Sequence, residues 1–149
     1  MKLKDILGLK IKDVSYHYNP QNQYDLQEFE SFIQLENKIY LTIPSSLDSF
    51  PIDKKERQQS LKKNFKQGNK IPKDLKPLLT GSKIVNIHFP YFRDEIDDEE
   101  KAFIELENGY FISEYNFGPL GVNNVDLKII TKQDFQELTD EETTFKSLK

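Results

Sequence analysis

The chain reads as an α+β protein, mostly antiparallel sheet, made of two tandem β units with a surface helix near 53–67 between them. Three observations predict this. Residues 103–112 place two alternating runs around Asn108-Gly109, a pair suited to the positive φ angles of a two-residue hairpin turn. Residues 32–41 repeat that pattern more weakly. The order of short helical cap, strand, polar loop and hairpin then occurs twice, which argues for an internal duplication.

Taken in order, Leu3, Ile6 and Leu7 sit at helical spacing and stop at Gly8, which predicts one or two turns of helix. Residues 10–18 read as a strand: Val14, Tyr16 and Tyr18 alternate, Ile11 falls out of phase, and Asn19-Pro20 ends the run. Residues 21–28 are polar and predict a loop. Strands follow at about 29–36 and 38–44. Residues 45–52 are turn-rich, and Asp53 with Glu56 resembles a capping box for a helix running to Gly68. Its apolar stripe is only Leu61 and Phe65, with Ile52 as a staple, so it should lie on the surface. Ile71-Pro72 and Pro77 bracket a second short helix ending near Gly81.

The pattern then recurs. Residues 3–14 resemble residues 75–87 with one insertion, and Ile84 and Ile87 reproduce the odd spacing of Ile11 and Val14. An acidic loop, a strand at 101–107 and a strand at 110–117 complete the second unit. A two-residue turn would set Leu106 opposite Phe111 and Leu35 opposite Tyr40, giving a core face of Ile33, Leu35, Tyr40, Ile104, Leu106 and Phe111. Residues 116–121 read as a glycine–proline turn, 125–130 as a further strand without counterpart, and Thr131 with Asp134 as the cap of a helix through Leu138. The tail 139–149 is polar and free to fray, with Phe145 and Leu148 able to dock. The expectation is a single domain over 1–149: unit one about 3–44, a helical connection 45–80, and unit two about 81–130.

Composition bounds the chemistry. With 149 residues, 36% hydrophobic and 12% aromatic, the chain can build a core and is not of the disordered class. It has no cysteine, which excludes disulfides, thiolate catalysis and Cys-ligated metals. Residues 1–8 hold no apolar run long enough for a signal peptide and no stretch could cross a bilayer as a helix, so the expected location is cytoplasmic and no membrane partner is expected. Lys-, Asn- and Ile-rich usage fits an AT-rich bacterial genome.

No catalytic or cofactor motif emerges. His17 and His88 do not align under the repeat and form no His-x-x-x-His pair, so they read as structural or solvent-exposed. Glu105 and Glu107 alternate on one strand with no facing carboxylate at a glycosidase separation. The run 97–100 lacks the ligand spacing of a calcium loop, and residues 118–121 lack the Lys and Ser/Thr of a P-loop. No cofactor or metal is expected, and the chain is not expected to be an enzyme.

The net charge of −4 hides two opposed blocks. Residues 53–76 carry Lys54, Lys55, Arg57, Lys62, Lys63, Lys66, Lys70, Lys73 and Lys76 against Asp53, Glu56 and Asp74. Residues 93–100 carry Asp94, Glu95, Asp97, Asp98, Glu99 and Glu100 against Arg93. Such blocks steer partners. The basic run has few arginines and a single aromatic, Phe65, in an acidic chain, which argues against a nucleic-acid partner. Tyr16, Tyr18, Tyr24, Phe89, Tyr91 and Phe92 crowd the first strands and their loops, either as interface anchors or as core.

In size, acidity, absence of catalytic motifs, aromatic-plus-acid loops and the Leu106–Tyr110 hairpin, the chain resembles the immunity proteins of bacterial polymorphic-toxin and contact-dependent inhibition systems. The resemblance covers the general build and about residues 81–130, and it carries no family functional residue onto this sequence. It implies binding to a cognate toxin domain, a nuclease for preference, with the active site blocked. The expected contact is Tyr91, Phe92, Asp94, Glu95, Asp97, Asp98, Glu99 and Glu100. The alternative is a small-ligand or enzymatic domain with a pocket between the two β units.

Overall fold

The chain forms two antiparallel sheets that share one hydrophobic core, in a computed structural model that describes residues 1–19, 28–45, 51–97, 100–114 and 127–149. After a 3-10 turn (Leu3–Ile6) come β1 (Ile11–Asn19), β2 (Glu28–Leu35), β3 (Tyr40–Thr42), α1 (Lys55–Gln67), β4 (Asn69–Lys70) and α2 (Lys76–Leu79). Then follow β5 (Ile84–Phe92), β6 (Glu95–Ile96), β7 (Phe103–Leu106), β8 (Tyr110–Glu114), β9 (Leu127–Thr131), α3 (Lys132–Glu137) and β10 (Thr143–Ser147). The first sheet runs β3-β2-β1-β4 and the second β10-β5-β7-β8-β9, with β6 also on β5. The fold is α+β, as the alternating runs predict.

Ile11, Ile33, Leu35 and Ile43 of the first sheet and its flanks meet Ile84, Ile87, Ile104, Leu106 and Ile112 of the second, all within 1% of zero exposure. Burial of each such side chain is worth about 1.5–3 kcal/mol. The outer face of each sheet has its own helix. Phe32 and Tyr40 pack under Leu61 and Phe65 of α1, and Phe103 and Phe111 under Phe135 of α3. The layers are helix, sheet, sheet, helix.

The first strands of the two units are built alike. Each carries a bulge, between Ile11 and Asp13 in β1 and between Ile84 and Asn86 in β5. That extra residue is the physical source of the odd Ile11/Val14 and Ile84/Ile87 spacing. At each bulge a side-chain oxygen accepts from the next backbone N–H, Asp13 from Val14 at 2.8 Å and Asn86 from Ile87 at 2.9 Å. The two corners also grip each other. Gly8 N–H donates to Ile84 O at 2.7 Å and Gly81 N–H to Ile11 O at 2.8 Å, while Ile84 N–H reaches Leu9 O and Ile11 N–H reaches Ser82 O, both at 2.9 Å.

Three expectations are corrected. The hairpins turn through three residues rather than two. Gly109 N–H donates to Leu106 O at 3.0 Å and Gly109 alone carries the positive φ, +92°, so Ile104 pairs with Ile112 and Glu105 with Phe111. Lys38, at φ +69°, fills the same position in the first hairpin, where Ile33 pairs with Leu41 and Gln34 with Tyr40. This is a type I turn followed by a left-handed residue. The one-residue shift sends Tyr40 and Phe111 to the outer faces and brings Leu41 and Ile112 into the core.

The second correction is at α1, which has no side-chain cap; Asp53 instead accepts from the Met1 ammonium at 2.7 Å. The third is the tail. Residues 143–147 are a strand on the edge of β5, with Phe145 in the outer aromatic cluster and Leu148 N–H bonded to Ile87 O at 2.8 Å. The Thr131 cap is as expected: its hydroxyl accepts from Asp134 N–H at 3.1 Å. The glycine–proline turn at 116–121 lies outside the described residues.

Candidate functional site

The acidic segment is a hairpin rather than a loop. Beyond its pairing with β7, β5 continues through Tyr91 and Phe92, turns at Arg93 and Asp94, and returns as β6. Arg93 and Asp94 both have positive φ, 51° and 64°, the two left-handed residues of a type I′ turn. Tyr91 faces Ile96 and Phe92 faces Glu95 across this ribbon, and Asp97 N–H closes it on Pro90 O at 3.0 Å. The other edge of β5 is held by β10, and Arg93 N–H donates to Glu142 O at 2.7 Å. Asp140 sets that last strand: its carboxylate accepts from Glu142 and Thr143 N–H, bonds that hold its pKa below the usual range.

The hairpin gathers Tyr91, Phe92, Asp94, Glu95 and Asp97, and leaves Phe92 43% exposed. Arg93 lies 5.1 Å from the Phe92 ring, and Tyr91 is half-buried beneath the Lys146 ammonium at 4.4 Å. Asp94 and Glu95 are exposed, and Asp97 and Glu100 are half-buried with polar partners. Asp98 and Glu99 lie outside the described residues. The sequence reading missed Ile96, 44% exposed beside these groups; the available signal was one apolar residue inside an acidic run. The other aromatics divide: Tyr16 stacks on Phe29 at 5.4 Å, Phe89 packs on the core, Tyr18 is 39% exposed, and Tyr24 lies outside the described residues.

Both histidines, Glu105 and Glu107 make contacts within the fold. His17 Nε2 donates to Asn64 O at 2.6 Å and, with Ser15 Oγ on Phe65 O at 2.8 Å, satisfies carbonyls of the last turn of α1. His88 Nε2 meets Glu105 Oε1 at 2.8 Å, and its ring lies tilted against Phe111 at 5.5 Å and Phe135 at 5.0 Å, which stack on each other. Glu107 accepts from Lys83 N–H at 3.3 Å. Among the described residues no group of three His, Cys, Asp or Glu side chains could hold a metal ion.

Glu114 is the exception in kind. It is 1% exposed and its Oε2 accepts from Ser31 N–H at 3.1 Å and Ser31 Oγ–H at 2.8 Å, with Lys101 Nζ 3.8 Å from Oε1. Burial pushes its pKa up to about 7 against the pull of the Ser31 bonds and Lys101. Ser31 is itself fully buried, and the pair ties β2 to β8.

Comparisons with protein families, with curated proteins and with solved structures found no match. No described helix is long and apolar enough to cross a membrane. What distinguishes the β5–β6 ribbon chemically is its surface: a large apolar side chain in water on each face, Phe92 beside Glu95 and Ile96 beside Tyr91, on a ribbon whose β5 edge is held by β10.

Proposed function

We propose that the protein is a cytoplasmic immunity protein that binds a cognate toxin domain through the β5–β6 hairpin and blocks its active site. The observation that carries this reading is the exposure of Phe92, which shares a face of the ribbon with Glu95 next to the Asp94 turn, while Ile96 is exposed on the other face beside Tyr91. Buried aromatic and aliphatic anchors supply most interface energy, and the surrounding charges speed encounter with a basic partner such as a nuclease. The hydrogen-bonded turn also supports it, since a backbone already ordered loses little freedom on docking. Ile33, Leu35, Ile104 and Leu106 pack together between the two sheets, and the alternative, a small-ligand or enzymatic domain, would need a pocket between the two β units.

Two variants test the reading. In a pull-down from the native cell with mass spectrometry, Phe92→Asp/Ile96→Asp should lose a basic protein that the unaltered chain captures. Asp94→Lys/Glu95→Lys should slow association with that protein by about tenfold at low salt and flatten its salt dependence. Equal capture and equal on-rates for both variants would remove the hairpin from the account.

A further inference from the structure

The basic block acquires a shape that its sequence does not show. α1 lies on the outer face of the first sheet, clamped by Leu61 and Phe65 at its middle and by Ser15 and His17 at its last turn. Its stripe Lys55, Gln59, Lys62 and Lys66 recurs every three or four residues and so shares one side of the helix. Between that stripe and the sheet runs an open groove of about 400 Å³. The sheet contributes Lys12, from the bulge of β1, and Lys38, from the tip of the β2–β3 turn. Lys55 and Lys62 line it from α1 with Gln58 and Gln59, Tyr40 and Gln34 line it from the sheet, and among the described residues no carboxylate does. A second depression of about 370 Å³ shares Gln59 and Lys62 and continues past Lys63 and Lys66. Among the described residues none of these lysines is held in an ion pair.

We propose that this lysine track is a binding site for the phosphodiester backbone of nucleic acid, engaged without reading base sequence. The track is concave, continuous and of one sign, and Lys55 to Lys66 spans about 16 Å along the helix, the reach of several consecutive phosphates. Its lining favours phosphate over a protein surface. Lysine is depleted at protein interfaces, and the track offers no exposed aromatic or aliphatic anchor, since Tyr40 is 6% exposed. The same lack of an exposed aromatic removes base stacking, leaving charge alone to bind. The site is independent of the β5–β6 hairpin, which belongs to the other sheet; the carboxylates there repel a polyanion and so favour its seating on α1.

The test is fluorescence anisotropy with the full chain and labelled 20-nucleotide DNA, single-stranded and duplex, in two unrelated sequences. Binding at about 10⁻⁵ M in 50 mM salt is expected, equal for the two sequences, with log K falling at a slope of about −3 or steeper against log salt. Lys12→Glu/Lys62→Glu changes two exposed side chains, and circular dichroism checks that it folds; it should weaken binding at least tenfold. Lys73→Glu/Lys76→Glu, outside the track, should weaken it less than threefold. No binding at 50 mM salt, or equal losses from the two double variants, would overturn the proposal. Tighter binding of poly-L-glutamate than of either DNA would overturn it in favour of an acidic protein partner.

Discussion

Glu114 shows how much a single residue can set the response of the whole protein to pH. Its carboxyl is buried, and its pKa is raised from 4.5 to about 7. A raised folded pKa means the folded state binds the proton more tightly than the unfolded chain. Its favourable contribution is complete below about pH 4.5 and is lost as pH rises through about 7. Stability should therefore fall between about pH 5 and pH 8 by an amount on the order of 2–3 kcal/mol. Glu114→Gln keeps an oxygen to accept from Ser31 but cannot ionise, so denaturant titrations of this variant should show a flatter profile across that window. A profile as steep as that of the unaltered chain would place the pH dependence elsewhere. None of this was visible in the sequence, where Glu114 falls within the run read as the strand 110–117. The burial comes from β2 crossing near β8, a long-range contact that local pattern does not encode.

At the scale of elements, the way each sheet edge is closed explains both the register and the errors in reading it. In the second sheet β9 and β10 cover the flanks of β8 and β5. In the first sheet β4 covers part of β1, and at β3 a side chain takes the role of a strand: Gln58 Oε1 accepts from Tyr40 N–H at 2.8 Å and its Nε2 donates to Tyr40 O at 2.8 Å and to Ile52 O. Gln58→Ala should leave the backbone of buried Tyr40 unsatisfied and cost about 1–3 kcal/mol in chemical denaturation. Loss of less than a few tenths would mean that water replaces the amide freely. Strands and helices were legible because Val14, Ile33, Ile104 and Leu61 carry clean periods. The faces were not, because Asn108-Gly109 serves a two-residue turn and a three-residue one equally well, and the choice moves Phe111, as the matching choice at Lys38 moves Tyr40, between core and helix-covered surface. β10 was missed because Thr143–Ser147 is polar on one side and takes its hydrogen bonds from an edge formed 50 or so residues earlier.

For the molecule as a whole, each half has a bulged first strand, a three-residue hairpin turn and a helix-covered outer face. The two sheets do not stand apart: Ile6, Ile11, Ile33 and Leu35 share one buried cluster with Ile84, Ile104 and Leu106. A fragment of residues 1–80 should show no cooperative thermal transition by circular dichroism, and mixing it with residues 81–149 should restore one. A sharp transition in the isolated fragment would mean that the first unit holds a core of its own. The charge blocks were legible as sequence and their surfaces were not. The acidic run became a fixed ribbon through its pairing with β5, and the basic run became concave only when Lys12 and Lys38 arrived from the sheet.

The reciprocal backbone bonds of Gly8 with Ile84 and Gly81 with Ile11 have one more consequence. Nothing in their geometry requires both corners to come from the same molecule. Two chains at high concentration could exchange second halves and rebuild every one of these links, giving an intertwined pair at little energetic cost. The grip that makes one copy hold together is thus also its route to becoming two.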